Sequence, residues 1–191
     1  MPTSRRSFLA TSTLAGATWL LADWGRVRPA LAHAAWAMAQ RPAPPFRVLT
    51  PAEAAELAAV AERIMPTTDT PGAREAGVIY FIDQALATFD KAQLPDVKRG
   101  IAELRRRAAR RNPGATSFAG LAPADQDAIL VEMEKGDFFQ GMRFATMVGM
   151  FADPRYGGNR DAVGWKLLGF DHQPTYAPPF GHYDAEAAGG R

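Results

Sequence analysis

Residues 49–66, LTPAEAAELAAVAERIMP, constrain the fold more than any other part of the sequence, because they specify a helix and both of its ends. Thr50 is the expected N-cap, Pro51 occupies the first helical position, and Glu53 completes a T-x-x-E capping box. Pro66 ends the helix, since proline cannot continue its hydrogen-bond ladder. One face of this predicted helix is apolar at helical spacing: Leu57, Val60, Ala61 and Ile64.

The sequence that follows keeps a helical periodicity, with breaks at proline and glycine. Further helices are predicted over about residues 74–89, from about Pro95, from about Pro123, over 137–151 and, as a short sixth helix, over about 161–168. No alternating strand pattern of useful length is present, and the last residues of the chain have no regular pattern. The sequence therefore predicts an all-α fold, a compact bundle of five to six helices with an irregular C-terminal tail.

The N-terminus has the form of an export signal. Arg5 and Arg6 stand ahead of an apolar run, and with Phe8 and Leu9 they form the pattern S-R-R-x-F-L. This pattern resembles the signal of the bacterial twin-arginine route, which carries folded proteins across the inner membrane. The apolar run, residues 8–22, is short for a membrane span.

Small-residue cleavage sites follow that run, as in a secretory signal. Two A-x-A sites predict cleavage after Ala32 or after Ala39, and the sequence does not choose between them. Residues 1–39 are interpreted as the signal peptide, the proline-rich residues 40–48 as a linker, and residues 49–191 as one helical domain.

Composition excludes several classes of function. The chain has no cysteine, which excludes disulfides, c-type haem attachment and Cys-ligated iron–sulfur clusters. The leader holds four of the 22 basic residues and one of the 20 acidic residues, so the remainder has 18 against 19 and a net charge near −1. This balance gives no indication of nucleic-acid binding.

Candidate reaction centres are few. No G-x-G-x-x-G turn stands between a strand and a helix, so flavin or nicotinamide binding by this chain alone is not expected. Ser117, the only serine after the leader, has no His or acid at motif spacing. Glu56 and Glu62 of the first helix are expected to face solvent. Polar residues near the C-terminus are either a metal group or unrelated surface residues: Asp171, His172, His182 and Asp184.

Two other stretches allow both a structural and a functional interpretation. The arginines between residues 105 and 111 fit a solvated helix face or a dock for an acidic partner. The segment FADPRYGGNRDAVGWKLLGF, residues 151–170, fits a shaped connector or a rigid aromatic surface for another protein. The predicted partner interface is formed by Tyr156, Gly157, Gly158, Asn159 and Trp165, with aromatic and methionine residues of the fifth helix that the core leaves over.

Over roughly residues 48–172 the sequence resembles the gluconate 2-dehydrogenase subunit 3 family. The resemblance rests on Met65-Pro66 followed by TDTPGA at 68–73, on FID at 81–83, and on YGGN at 156–159 with Trp165. Many members close the last motif with a G-[YF]-P-G turn. Here Gly169-Phe170 leads into Asp171-His172, which leaves the substrate branch open.

The resemblance implies a non-catalytic small subunit of a periplasmic sugar or sugar-acid dehydrogenase. The catalytic partner would be a larger FAD-containing flavoprotein of the glucose–methanol–choline type, and a cytochrome c would accept its electrons and hold the complex at the inner membrane. This chain would hold no cofactor and would escort the folded partner through the twin-arginine translocase. Gluconate, glucose, fructose and glucosides oxidised at carbon 3 are the open substrates. The alternative is an independent periplasmic metal-dependent enzyme or binding protein.

Overall fold

The computed structural model describes residues 45–173. Within that range the chain forms six α-helices, three single-turn 3-10 segments and no strand, which confirms the predicted all-α bundle. The leader with Arg5, Arg6, Phe8 and Leu9, the first part of the linker and the tail after residue 173 lie outside the described residues. The helices are α1 (Pro51–Ile64), α2 (Val78–Ala87), α3 (Leu94–Arg111), α4 (Pro123–Met133), α5 (Asp137–Phe151) and α6 (Val163–Leu168).

Helix α1 lies at the centre of the bundle and packs against α2, α3, α4 and α5. Helix α2 also packs along α5, and the short α6 packs on α5. Three of the four apolar residues predicted to line α1 are buried, and the fourth, Ile64, is half-buried near the end of the helix. The largest fully buried side chains of the core come from α1, α2, α3, α4, α5 and the loop before α4: Leu57, Phe81, Ile101, Leu104, Phe118, Ile129 and Met150.

The predicted start of α1 is confirmed at the level of atoms. The Thr50 side chain accepts a hydrogen bond from the Glu53 amide at 3.2 Å, and the Glu53 carboxylate accepts one from the Thr50 amide at 2.8 Å. Burial opposes ionisation of Glu53, but the bonds from Thr50 and Lys98 outweigh it and lower the pKa of this carboxyl. The capping box thus satisfies backbone amides at the start of the helix and keeps the Glu53 carboxylate charged.

Helix α2 is shorter than predicted. Residues 73–77 form a turn in which the Val78 amide donates to the Ala73 carbonyl, and Gly77 adopts the left-handed region with φ 66°. The helix begins only after that glycine. At the other end the Thr88 hydroxyl donates to the Gln84 carbonyl, and the helix ends at Ala87. Apolar periodicity continues through both ends, so it could not locate either boundary.

Glu56 was expected to face solvent, and that prediction is wrong. Its side chain is only 1% exposed. One carboxylate oxygen accepts from Arg105 Nε at 2.8 Å and the other from the Ala119 amide at 2.9 Å. Since a buried carboxylate is costly without partners, these bonds account for its position. Glu56 thereby joins α1 to α3 and to the loop before α4.

The end of the predicted linker is held on α2. Asp83, which is almost fully buried, accepts backbone hydrogen bonds from Arg47 at 2.7 Å, Val48 at 3.1 Å and Leu49 at 3.0 Å. The Phe46 ring stacks on Tyr80 of α2, with ring centroids 5.3 Å apart. Residues 46–49, called here the N-terminal strap, are therefore part of the folded bundle.

Candidate partner-binding site

The connector, residues 152–162, folds back onto the C-terminal end of α5. The last carbonyls of a helix have no partners within the helix and must be satisfied from outside. The Gly149 carbonyl accepts from the Asn159 amide at 2.6 Å, and the Ala152 carbonyl, just past the helix, accepts from Asn159 Nδ2 at 2.9 Å. The Phe151 carbonyl accepts from Trp165 Nε1 at 2.8 Å. The connector is thus the C-terminal cap of α5.

Asn159 is the central residue of this cap. Its side chain is fully buried, and its Oδ1 accepts from the Gly164 amide at 2.7 Å while its Nδ2 donates to Ala152. Its backbone is left-handed, with φ 49°, a conformation that asparagine tolerates better than most residues. One side chain therefore ties the end of α5 to the start of α6.

Two glycines allow the backbones to approach. A Cβ at Gly158 would overlap the carbonyl oxygen of Gly149, and a Cβ at Gly164 would overlap the carbonyl oxygen of Met150. In both cases the obstacle is helix backbone, which cannot rotate away as a side chain can. Glycine is therefore required at both positions for α6 to sit against α5.

The connector also contains backbone strain. Asp161 and Ala162 both adopt left-handed backbone with φ 55°, beside the left-handed Asn159 and Gly157. Aspartate, like asparagine, tolerates this conformation, whereas it costs alanine about 1–2 kcal/mol. The contacts of Asn159 and Gly164 on either side hold the strained residues in place.

Replacing Ala162 by glycine should stabilise the chain by about 1 kcal/mol, because glycine adopts the left-handed region without a Cβ penalty. The measurement is the midpoint of urea unfolding. The matched control is Ala102→Gly in the exposed face of α3, where the same change should destabilise by about 1 kcal/mol. Equal losses in the two variants would show that Ala162 is not strained.

Three of the five predicted interface residues are buried inside the chain: Gly157, Gly158 and Asn159. Gly158 and Asn159 contact α5, Asn159 also bonds α6, and the Gly157 amide donates to Pro154 within the connector, so all three shape the connector from within. The structural interpretation of this motif therefore accounts for all three. A role for them in binding another protein can only be indirect, through the surface that they hold in position.

Tyr156 and Trp165 are half-buried and keep part of their rings at the surface. Trp165 meets Phe170 edge to face, with centroids 5.2 Å apart, and stacks on His172 at 4.9 Å. A direct contact of Tyr156 and Trp165 with a partner stays a prediction.

Large exposed apolar side chains lie mainly on α5 and α6. A helix of a soluble domain normally turns such residues inward, and α5 does bury Met142 and Met150. The sequence indicated only that the fifth helix has more apolar residues than a core needs. Exposed in the structure are Phe144 and Met147 on α5, Leu167 and Leu168 on α6, Phe170 after it, and Val131 on α4.

The arginines of α3 pair with carboxylates of the chain itself. Arg105 binds buried Glu56, and Arg107 and Arg111 bridge to carboxylates of α4. Such pairs satisfy the charges locally, and exposed ones add little stability. This surface offers a partner less free charge than the sequence suggested. Between residues 105 and 111 the pairs are Arg105–Glu56, Arg106–Glu103, Arg107–Glu103, Arg107–Glu132, Arg110–Glu103 and Arg111–Asp125.

The candidate metal group is described only in part. Asp171 and His172 are exposed after α6, and His172 lies against the Trp165 ring, whereas His182 and Asp184 lie outside the described residues. Among the residues described, no three His, Cys, Asp or Glu side chains come together as a cation site. The Ser117 hydroxyl accepts a hydrogen bond from the Gly120 amide in a loop.

Three titratable groups outside the capping box have shifted pKa values. Burial raises the pKa of Asp90, which follows α2. The bond to Asp127 raises the pKa of Arg63 near the end of α1, and the bond from Thr67 lowers the pKa of Glu75 in the next loop. Each shift here has a local structural cause.

Comparison with known proteins identifies one family. The family model described as gluconate 2-dehydrogenase subunit 3 matches residues 51–171, well over half of the chain. Curated proteins and solved structures give no match. Within residues 45–173 no helix combines the length and apolar character needed to cross a membrane. The matched range covers all six helices and the connector, and the chain belongs to the gluconate 2-dehydrogenase subunit 3 family.

Proposed function

We propose that this chain is the non-catalytic small subunit of a periplasmic FAD-dependent sugar dehydrogenase. The observation that carries the proposal is the family match over residues 51–171, which indicates a small subunit of a dehydrogenase complex. The partner would be a glucose–methanol–choline-type flavoprotein that holds the FAD, with a cytochrome c subunit as its electron acceptor. Oxidation of the sugar would take place entirely on the partner.

The use of polar groups inside the bundle supports an accessory role. Glu56, Asp83 and Asn159 are three of the buried polar residues of the described chain. Each of them bonds backbone or an arginine of this chain and joins two segments of the fold. Their chemistry serves the bundle and its connector. These buried bonds stabilise the bundle, and a subunit that stabilises another protein needs a stable fold of its own.

The leader supports a second part of the proposal, escort of the flavoprotein. The pattern S-R-R-x-F-L at residues 4–9 resembles the signal of a route that transports folded proteins. A flavoprotein that binds FAD before export could use this route through a signal on its small subunit. The complex would then act in the periplasm.

Replacing Arg5 and Arg6 together by lysine should abolish export of both subunits. Lysine keeps the charge but lacks the planar guanidinium fork that a receptor can read. The measurement is the amount of each subunit, and of flavin, in the periplasmic fraction. Arg26→Lys with Arg28→Lys is the matched control, because these arginines lie outside the twin pair, and export should continue. A flavoprotein that reaches the periplasm beside a retained small subunit would contradict the escort role.

A further inference from the structure

Helices α5 and α6 and the residue pair after them present exposed apolar side chains. Met147, Leu167 and Leu168 are 41%, 38% and 64% exposed. Phe144 on α5 and Phe170, two residues after the end of α6, are also exposed, and the two helices pack against each other. Exposed apolar surface of this kind often marks an interaction site in a soluble protein. These five residues define what is called here the α5–α6 face.

Two exposed cations of the described chain stand next to residues of this face in sequence. Arg143 precedes Phe144 on α5, and Lys166 precedes Leu167 on α6. Within residues 45–173 neither makes an ion pair, whereas the arginines of α3 are all paired. The α5–α6 face therefore combines apolar surface with two cations, against one carboxylate, Asp171, which follows Phe170.

The geometry of the face is fixed before any partner binds. Trp165 Nε1 donates to the Phe151 carbonyl, and the Gly164 amide donates to Asn159 Oδ1, so α6 is attached to α5 directly and also through the connector. A surface that is already ordered loses less conformational entropy on binding. The buried motif residues of the connector therefore have a structural role, which is to hold α6 in place.

We propose that the α5–α6 face binds the large catalytic subunit of the dehydrogenase complex. The matching surface on that subunit would be apolar at its centre and would carry carboxylates opposite Arg143 and Lys166. This proposal rests on the proposed function, because it takes the large subunit as the occupant. It adds the location of the interface and the chemistry of the surface that covers it.

The charges of the face favour a different protein over a second copy of this chain. A two-fold dimer uses the same patch on both sides, so Arg143 and Lys166 would meet a second patch in which cations again outnumber the single carboxylate, Asp171. Like charges brought together in an interface cost free energy. A partner with carboxylates removes that cost, and its apolar surface buries the leucines and methionine.

The test uses the full complex, obtained by co-expression with the flavoprotein subunit from the same gene cluster. Leu168→Asp should weaken binding of the flavoprotein about tenfold or more, because a charge replaces the most exposed apolar side chain of the face. Val131→Asp is the matched control, since Val131 is equally exposed, at 65%, but lies on α4. This control should change the affinity by less than about twofold, as expected for a residue outside the interface.

Charge reversal tests the second part of the proposal. Lys166→Glu should weaken binding, and the loss should shrink in high salt, because ions screen exposed charges. The control is Lys91→Glu, an exposed lysine after α2. Circular dichroism and urea unfolding of each small-subunit variant verify its fold, and the recovered flavin absorbance reports the partner.

Wild-type affinity in the Leu168 and Lys166 variants would overturn the α5–α6 face as the interface and leave the proposed function intact. The same follows if the wild-type chain alone is a dimer that Leu168→Asp separates, because a second copy would then be the occupant. Failure of the wild-type chain to bind the flavoprotein at all would instead contradict the proposed function.

Discussion

Replacing Gly158 by alanine should destabilise the chain by about 3 kcal/mol or more, the upper range for overpacking, because the new methyl group has no space. Its Cβ would overlap the carbonyl oxygen of Gly149, which lies in the backbone of α5. Relief requires the connector to move off the helix. That movement would break the bond from the Asn159 amide to Gly149 and release α6.

The control is another glycine of the same region. Gly141 lies within α5, and a Cβ there would have no neighbouring atom within 4 Å. Gly141→Ala should therefore stabilise by about 0.5–1 kcal/mol, since alanine favours the helix. Urea unfolding of both variants gives the two free energies. A Gly158→Ala variant as stable as the wild type would show that the connector does not sit on α5 as described.

The sequence predicted the helices well where a helix boundary is marked by local chemistry. Thr50, Pro51 and Glu53 mark the start of α1, and prolines mark the starts of α3 and α4. These signals act within a single turn, so sequence alone carries them. The predicted start of α2, at about residue 74, was wrong because the left-handed turn at Gly77 interrupts a segment whose side chains continue to be apolar.

Contacts between distant residues were harder to predict. Glu56 looked like any exposed helix carboxylate, yet it meets Arg105 and the Ala119 amide, which are 49 and 63 residues away in sequence. Asp83 binds the N-terminal strap from more than 30 residues away. A pattern with a period of 3.6 residues contains no information about such pairs, because they depend on how the helices pack.

The candidate site shows the same difference between local sequence signals, which could be read, and contacts between distant residues, which could not. The sequence singled out the connector by its composition but left two interpretations open. Burial of Gly158 and Asn159 gives them a structural role. The exposed Leu168 was not among the predicted interface residues, because its exposure follows from where α6 sits on α5. The connector motif that holds the surface in place could therefore be recognised from the sequence. The exposed residues that form the surface could not, because their exposure depends on how the helices pack.

Replacing Asp83 by alanine should release the N-terminal strap. The carboxylate accepts three backbone hydrogen bonds, from Arg47, Val48 and Leu49, and alanine can accept none. Bonds to a charged acceptor contribute about 1.5–3 kcal/mol each, but a released strap regains water, so the expected loss of stability is about 3 kcal/mol. Leu49, now buried, would become exposed.

Trypsin distinguishes strap release from general unfolding, because it cleaves after Arg47, inside the strap. In the Asp83→Ala variant this cleavage should become faster while cleavage within α3 stays slow. The matched control is Asp90→Asn, which removes a carboxylate that follows α2 and does not touch the strap. Burial raises the pKa of Asp90, so its charged form opposes folding above the ordinary aspartate pKa, and at neutral pH the neutral amide should be tolerated or stabilising. Equal trypsin sensitivity at Arg47 in both variants would mean that Asp83 does not hold the strap. Faster cleavage only in Asp83→Ala would identify this buried carboxylate as the point where the segment after the leader is fastened to the bundle.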